Sequence, residues 1–261
     1  MGAGGVPGGN GMQKKRWGYV LGMVGSLIWV VASRGQDVAG PRAANPDRER
    51  PRLNTWSAAA EFVPITQDYF LGLAEDRRFF AIGGEYARRL NRRRAADVFY
   101  VAELRPLILE GDPTLEGFKN QLTGQPLLRI PDPQRVVYVD HSPSVLLPQN
   151  IVVVPFYGRT WTYGASVSPL GLRVNFLPRR RWQPFLETSL GVHLTARDVP
   201  VGGARSFNFT FQFGTGLECC FRETRSWRYE FLFRHISNAD SGMTNPGVDA
   251  PTVRVVYSFR R

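Results

Sequence analysis

Cysteine is scarce in this 261-residue chain: there are two, Cys219 and Cys220, and they are adjacent. Adjacent strand residues point to opposite faces, so a mutual disulfide is disfavoured and a disulfide framework is excluded. The three histidines do not combine with cysteines or carboxylates at metal-ligand spacing. We therefore expect no disulfide scaffold, no metal site and no cofactor.

Lysine is also scarce, so the net charge of +11 comes almost entirely from arginine. The arginines are scattered or grouped in short turns, and no basic helix or nucleic-acid motif accompanies them. The composition therefore argues against nucleic acid as a partner.

Long apolar runs are missing beyond the N-terminus. At the N-terminus itself, basic "KKRW" (14–17) precedes a short apolar stretch that ends at Ala32 or Ser33. This pattern predicts a secretory signal peptide over 1–33, followed by a polar segment over 34–53. A retained N-terminal anchor is the alternative, although the run is short of the ~20 residues that span a bilayer. Either Met1 or Met12 is the start.

Helical periodicity is nearly absent, and alternation with period two takes its place. In 205–221, phenylalanines and other apolar residues occupy most odd positions and polar residues or glycine the even ones. Similar patterns predict about eight strands, at 54–64, 77–88, 95–107, 169–177, 182–195, 205–221, 226–238 and 252–259.

The polar faces of these strands carry nearly one carboxylate each, together with several arginines. They are Glu61, Glu85, Glu103, Glu187, Glu218, Glu230, Arg105, Arg173, Arg228, Arg234 and Arg254. Such charges suit a closed interior of ion pairs, with the apolar faces against lipid. A soluble lipocalin-like barrel would have an apolar lumen instead. Residues 54–261 are therefore predicted to be an all-β, eight-stranded antiparallel transmembrane β-barrel, filled by side chains.

Three short, arginine-rich links, at 88–96, 177–183 and 221–227, fall at alternate junctions. They should share the periplasmic end of the barrel, where bacterial outer-membrane barrels keep short turns. The segment 111–161 is then a long extracellular insertion, whose apolar stretches either form extra strands or cover the rim.

One strand ends unusually. In "FLFRHIS" (231–237), His235 and Ser237 share the parity of the outward aromatic residues, and a hairpin would bring Asp249 beside them. Serine becomes a nucleophile when an imidazole takes its proton and a carboxylate fixes the imidazole tautomer. Asn238, Asn245 and the backbone amides of 239–242 are candidate oxyanion donors. The alternative is an ordinary interfacial girdle that ends in a polar rim.

The wider stretch "RHISNADSG…NPGVD" resembles the signature of the lipid A 3-O-deacylase (PagL) family, which is also described as acyloxyacyl hydrolase-like. "YGASVSPLGLRVNF" (163–176), "QPFLETSLGVHL" (183–194) and "FNFTFQFGTGLE" (207–218) resemble strands of that family's barrel. The likeness covers roughly 160–261 and, loosely, 54–110.

This resemblance implies an eight-stranded outer-membrane barrel with a lipid-facing site that removes the 3-position acyl chain of lipid A. By motif position, Ser237 is the nucleophile, His235 the base and Asp249 the acid. The family pattern has Glu at the acid position, so the shorter Asp249 must approach more closely. If Asp249 cannot reach His235, the site is a Ser–His dyad, or Asp240 serves as the acid instead.

The resulting hypothesis is a serine esterase in the outer membrane of a Gram-negative bacterium, acting on lipid A or lipopolysaccharide. Two alternatives stay open: a non-catalytic barrel serving as a scaffold or adhesion protein through 111–161, and a phospholipase or general esterase on the same barrel. The exposed aromatic face suits either a homodimer or lipid.

Overall fold

The computed structural model describes residues 54–92, 95–146, 151–222 and 224–260. The predicted signal peptide (1–33) and the polar segment (34–53) lie outside the described residues. No helix among the described residues is long and apolar enough to cross a membrane.

Ten strands follow one another along the chain. They are β1 (Asn54–Val63), β2 (Arg78–Arg92), β3 (Ala96–Asn120), β4 (Pro126–Arg135), β5 (Ser144–Leu146), β6 (Ile151–Phe176), β7 (Trp182–Val199), β8 (Arg205–Arg222), β9 (Arg225–Ser237) and β10 (Val248–Arg260). All ten pair in one antiparallel sheet, in the order β4-β3-β2-β1-β10-β9-β8-β7-β6-β5.

A further antiparallel pairing between β3 and β6 closes eight of these strands into a ring, with β1 paired to β10. Closure satisfies the backbone hydrogen bonds of every strand in the ring and leaves no edge in the membrane. The predicted eight-stranded antiparallel barrel is confirmed.

The interior is polar, as predicted. All eleven alternating Glu and Arg residues are buried. Glu61 accepts hydrogen bonds from Arg105 at 2.7 Å and from Arg234 at 2.5 Å. At the centre, Arg254 binds carboxylates from three other strands, those of Glu103, Glu187 and Glu230. Ten of these eleven groups form salt bridges with one another, and Glu218 accepts hydrogen bonds from Asn175 and Ser226, so the lumen is a packed ionic core rather than a channel.

Three of these carboxylates, from Glu85, Glu187 and Glu230, lie within 4.8 Å of one another. That geometry resembles a cation site. Arg254 and Arg228 already form ion pairs with these groups, so guanidinium groups supply the positive charge that an ion would bring.

The outer face is apolar. On β8, Phe207, Phe209, Phe211 and Phe213 are exposed, while the intervening Asn208, Thr210 and Gln212 are buried. The alternation of the sequence therefore assigns the two faces correctly, and the aromatic side is the lipid-facing one.

The segment 111–161 differs from a simple insertion. Much of it continues β3 and β6, which stay paired with each other from Gly111↔Trp161 to Asn120↔Val153. The short strands β4 and β5 add to the edges of this extension. The sequence hides these strands because most of β4 is exposed on both faces and has no polar–apolar alternation.

The three short links join strands at one end of the barrel, where β1 begins and β10 ends. The opposite end carries the connection 64–77, the extension of β3 and β6, the turn 200–204 and the loop 238–247. The end of β9 and the start of β10 lie there, and they carry the candidate site.

Candidate active site

The strand register brings the acid and the imidazole together. β9 and β10 pair so that Asp249 lies directly opposite His235. His235 Nδ1 and Asp249 Oδ1 are 2.7 Å apart. The Asp249 side chain is buried, whereas 15% of the His235 side chain is exposed. A neutral imidazole that donates from Nδ1 to this carboxylate leaves Nε2 as the proton acceptor.

The shorter acid reaches the imidazole because the two residues are cross-strand partners. Side chains of directly opposed residues start about 5 Å apart at Cβ, so an aspartate spans the gap without a change in backbone. This register explains how the shorter Asp249 can reach His235 although the pattern that the sequence resembles has Glu at the acid position.

The second carboxylate oxygen has partners that the sequence did not reveal. Asp249 Oδ2 accepts hydrogen bonds from the backbone amides of Phe70 at 2.7 Å and Leu71 at 3.0 Å. Both residues belong to the connection 64–77, which runs over the outer face at this end. Four apolar residues surround one glycine in "YFLGL" (69–73), but this pattern gives no sign of a contact with Asp249, because the contact is made by backbone amides.

Ser237 lies two residues beyond His235 on the same outer face of β9 and is partly buried. Its hydroxyl donates to Asn245 Oδ1 at 3.0 Å and accepts from the Ala239 amide at 3.2 Å. The hydroxyl therefore bonds to Asn245 rather than to His235. Rotation of one side-chain torsion would redirect it, and catalytic hydrogen bonds often tighten only when substrate is bound.

Asn245 presents its oxygen to Ser237. The same Oδ1 accepts from the backbone amide of Asn238 at 3.2 Å, which fixes the orientation of the side-chain amide. Its Nδ2 donates to Asp240 Oδ1 at 2.9 Å. In this arrangement Asn245 holds the Ser237 hydroxyl and offers it no donor, and Asp240 is bound to Asn245 instead of His235.

Asn238 is buried, and its Nδ2 donates to the carbonyl of Thr244 at 2.8 Å. It thereby closes the loop 238–247 instead of facing the serine hydroxyl. The donor that does point at Ser237 Oγ is the Ala239 amide, from within the predicted group 239–242. Ala239 and Asp240 both have positive φ, 51° and 59°, which turns the chain sharply over the serine.

Aromatic side chains surround the cluster on the lipid side. Phe211 and Phe209 of β8 are the register partners of His235 and Ser237. Phe233, one outward position before His235, lies 5.4 Å from Phe213 and 5.0 Å from Phe70 between ring centroids. A small polar site therefore opens on an otherwise apolar surface.

A cation lies on the same surface, at the end of the barrel that carries the loop 238–247. Arg205, exposed at the start of β8, donates from Nε to the carbonyl of Ser241 at 2.9 Å. Among the described residues, no carboxylate forms a salt bridge with it, whereas Arg77, Arg135 and Arg159 at this end all pair with aspartates.

The comparisons with known proteins agree with this description. The family model for "Lipid A 3-O-deacylase (PagL)" matches residues 124–258. No curated protein matches the chain.

Solved structures overlap it only loosely. The outer-membrane enzyme PagL has 13% identity and a TM-score of 0.46, over 78% of this chain and 98% of its own. Neisserial surface protein A has 10% identity and a TM-score of 0.42, over 81% and 98%. Ail of Yersinia pestis, in its crystal structure, has 12% and 0.30, over 80% and 99%.

The family model covers about half of the chain and includes β6 to β10 almost completely. Together with the closed barrel and its apolar outer face, it indicates an outer-membrane protein of a Gram-negative bacterium. The chain belongs to the lipid A 3-O-deacylase (PagL) family.

Proposed function

We propose that the protein is an outer-membrane serine esterase that hydrolyses the ester-linked 3-O-acyl chain of lipid A. The observation that carries this proposal is the His235–Asp249 pair beside Ser237 on the lipid-facing side of the barrel. The family supplies the substrate class, lipid A.

The chemistry follows from these three residues. Ser237 Oγ attacks the acyl carbonyl carbon while His235 Nε2 takes its proton. The tetrahedral intermediate collapses, and the sugar oxygen leaves with the proton from His235. Water, deprotonated by the same imidazole, then attacks the acyl-enzyme and releases a 3-hydroxy fatty acid. No metal or redox cofactor is needed for this sequence.

For the first step, the Ser237 hydroxyl must leave Asn245 Oδ1 and donate to His235 Nε2. The Ala239 amide, 3.2 Å from Ser237 Oγ, lies close enough to act as a donor for the developing oxyanion after a small shift. The i, i+2 spacing on β9 keeps nucleophile and base side by side on one face.

Depth and charge favour a membrane lipid as substrate. The site lies at the end of the apolar band, where acyl esters join headgroup and chains. Acyl chains can lie along the phenylalanines of β8. Arg205 precedes Phe209, the register partner of Ser237, by four residues, which is about 13 Å along the strand at ~3.3 Å per residue. We propose that its guanidinium binds a phosphate of the lipid A headgroup.

The test is mass spectrometry of lipid A from a Gram-negative host whose lipid A carries a 3-O-acyl chain. Expression of the wild type should remove one 3-hydroxyacyl mass, and expression of Ser237→Ala should not. If phospholipids lose acyl chains instead, the phospholipase alternative replaces the proposal. If both proteins insert as heat-modifiable barrels and no lipid changes, the scaffold alternative does. The homodimer stays a prediction.

A further inference from the structure

The connection between β1 and β2 is fastened to the start of β10 by backbone hydrogen bonds. The amides of Leu73 and Ala74 donate to the carbonyls of Pro246 at 2.6 Å and Gly247 at 3.2 Å. Ala74 and Val248 form a parallel bridge. The residues just before this contact, Tyr69–Gly72 (the 69–72 segment), therefore have a defined place on the outer face beside Asp249.

We propose that the 69–72 segment is a positioning element of the esterase site, which orients the Asp249 carboxylate through the amides of Phe70 and Leu71. The inference rests on the proposed function and extends it to residues outside the β9–β10 hairpin. With Oδ2 held by two amides, the carboxylate cannot rotate freely, and Oδ1 stays on His235 Nδ1.

These hydrogen bonds stabilise the Asp249 carboxylate more strongly at this buried position than they would in water. The Asp249 side chain is buried, so its charge is compensated only by groups in contact with it. Bonds from amides to a carboxylate are charge-assisted and geometrically strict. Loss of the segment would therefore leave a mobile or poorly compensated acid, and His235 would lose its fixed tautomer.

The same segment also faces lipid. The side chains of Phe70 and Leu71 are 60% and 70% exposed, and Phe70 packs edge-on against Phe233 of the outer face. Two neighbouring residues thus hold the acid through their amides and offer apolar side chains to the acyl region. This arrangement links contact with the membrane to the alignment of the acid.

Gly72 permits the close approach. A Cβ at this position would lie 2.6 Å from the backbone nitrogen of Asp249 and 2.8 Å from the carbonyl carbon of Val248. Both atoms are backbone and cannot move aside cheaply. Gly72→Ala should therefore push the segment away from Asp249, whereas a Cβ on Gly202, in another turn at this end, meets nothing within 4 Å.

The experiment compares Gly72→Ala with Gly202→Ala in purified, heat-modifiable barrels assayed on lipid A. We expect kcat of Gly72→Ala to fall at least tenfold with KM changed less than twofold, because a displacement near 1 Å can cost about 10²-fold. Gly202→Ala should match the wild type. Equal kcat values for the two variants would overturn the proposal.

A second pair isolates the amide. Leu71→Pro removes the N–H that binds Asp249, whereas Leu71→Ala keeps it and shortens only the lipid-facing side chain. The proline variant should be at least fivefold slower than the alanine variant. Indistinguishable rates would contradict a role for this amide.

NMR of the imidazoles provides a readout that does not depend on deacylation. In the wild type, the His235 Nδ1 proton should be shifted downfield and protected from exchange by Asp249, and Gly72→Ala should lose that resonance. A retained resonance would refute the positioning role. If the wild type shows it but leaves lipid A intact, the proposed function fails while the positioning role stands.

Discussion

The barrel holds two very different groups of ionisable residues. Inside, arginines and glutamates from most strands form a network of ion pairs, in which Arg254 binds three carboxylates. Outside, His235 and Asp249 form a single pair beside an uncharged serine, on a surface that is otherwise aromatic. Both groups are built from cross-strand neighbours, but their surroundings differ completely.

The difference separates structure from function. Interior charged side chains fill a lumen that must be packed, and their ion pairs with one another are sufficient reason for their presence. A lipid-facing strand has no such need, because apolar side chains would serve better there. The outer cluster lowers the fit to lipid and retains a strained turn at Ala239 and Asp240, which is typical of a functional site.

The largest expected effect on activity comes from variants that disrupt only the outer cluster. Ser237→Ala and His235→Ala should each lower kcat/KM for lipid A by about 10⁴-fold or more, because nucleophile and base act as a unit. Barrel stability should stay within about 0.5 kcal/mol of the wild type for Ser237→Ala, as for surface changes. His235→Ala removes a hydrogen-bond partner of the buried Asp249 carboxylate and should cost about 1–3 kcal/mol. Steady-state deacylation kinetics check this, with Ser206→Ala, at an exposed serine near the start of β8, as the matched control. Activity in Ser237→Ala would remove the serine from the mechanism.

The interior should respond in the opposite way. Arg254→Met would leave Glu103, Glu187 and Glu230 undercompensated, at a cost of about 3–5 kcal/mol in the free energy of unfolding. Urea unfolding in lipid vesicles measures this cost, with Arg129→Met, at an exposed arginine of β4, as the control. The folded fraction should deacylate at the wild-type rate. A stable Arg254→Met barrel would show that the ionic core is dispensable.

A smaller change tests the fit of the acid. Asp249→Glu restores the residue of the family pattern but adds a C–C bond of about 1.5 Å. Because the aspartate is already at hydrogen-bond distance from His235, kcat should fall about 10²-fold. Asp240→Asn, which changes the alternative acid, should cost less than threefold. If Asp240→Asn were the more damaging, the acid would be misassigned.

The smallest effect concerns the headgroup. Arg205→Gln should raise KM about tenfold for phosphorylated lipid A and leave KM for a dephosphorylated analogue unchanged, since one charge-assisted contact is lost. Arg129→Gln is the control. An equal loss on both substrates would indicate that Arg205 supports the loop through Ser241 and does not bind phosphate.

The sequence predicts the barrel well because each membrane strand must alternate. The parity of β8 and β9 alone assigns lumen and lipid faces, and with them the outward position of His235 and Ser237. Hairpin logic also brings Asp249 to the correct neighbour, because β9 and β10 are joined by a single loop.

Two features could not be fixed from the sequence, for physical reasons. In 111–161 extra strands were one of two alternatives, because most of β4 is exposed and has no polar–apolar alternation to identify a strand. The 69–72 segment contacts Asp249 across 178 positions in sequence and through backbone amides, which carry no residue-specific signal. The side chain of Asn245 similarly gives no sign in sequence that its oxygen, and not its nitrogen, faces Ser237.

The most direct test of the account is covalent labelling with a long-chain fluorophosphonate, which reacts with activated serines and mimics the acyl ester. Intact protein in lipid vesicles would be labelled, digested and mapped by mass spectrometry. We predict one modified residue, Ser237, and no modification in His235→Ala. Labelling that is absent, or that persists at the same rate in His235→Ala, would contradict a nucleophilic site on the outer face.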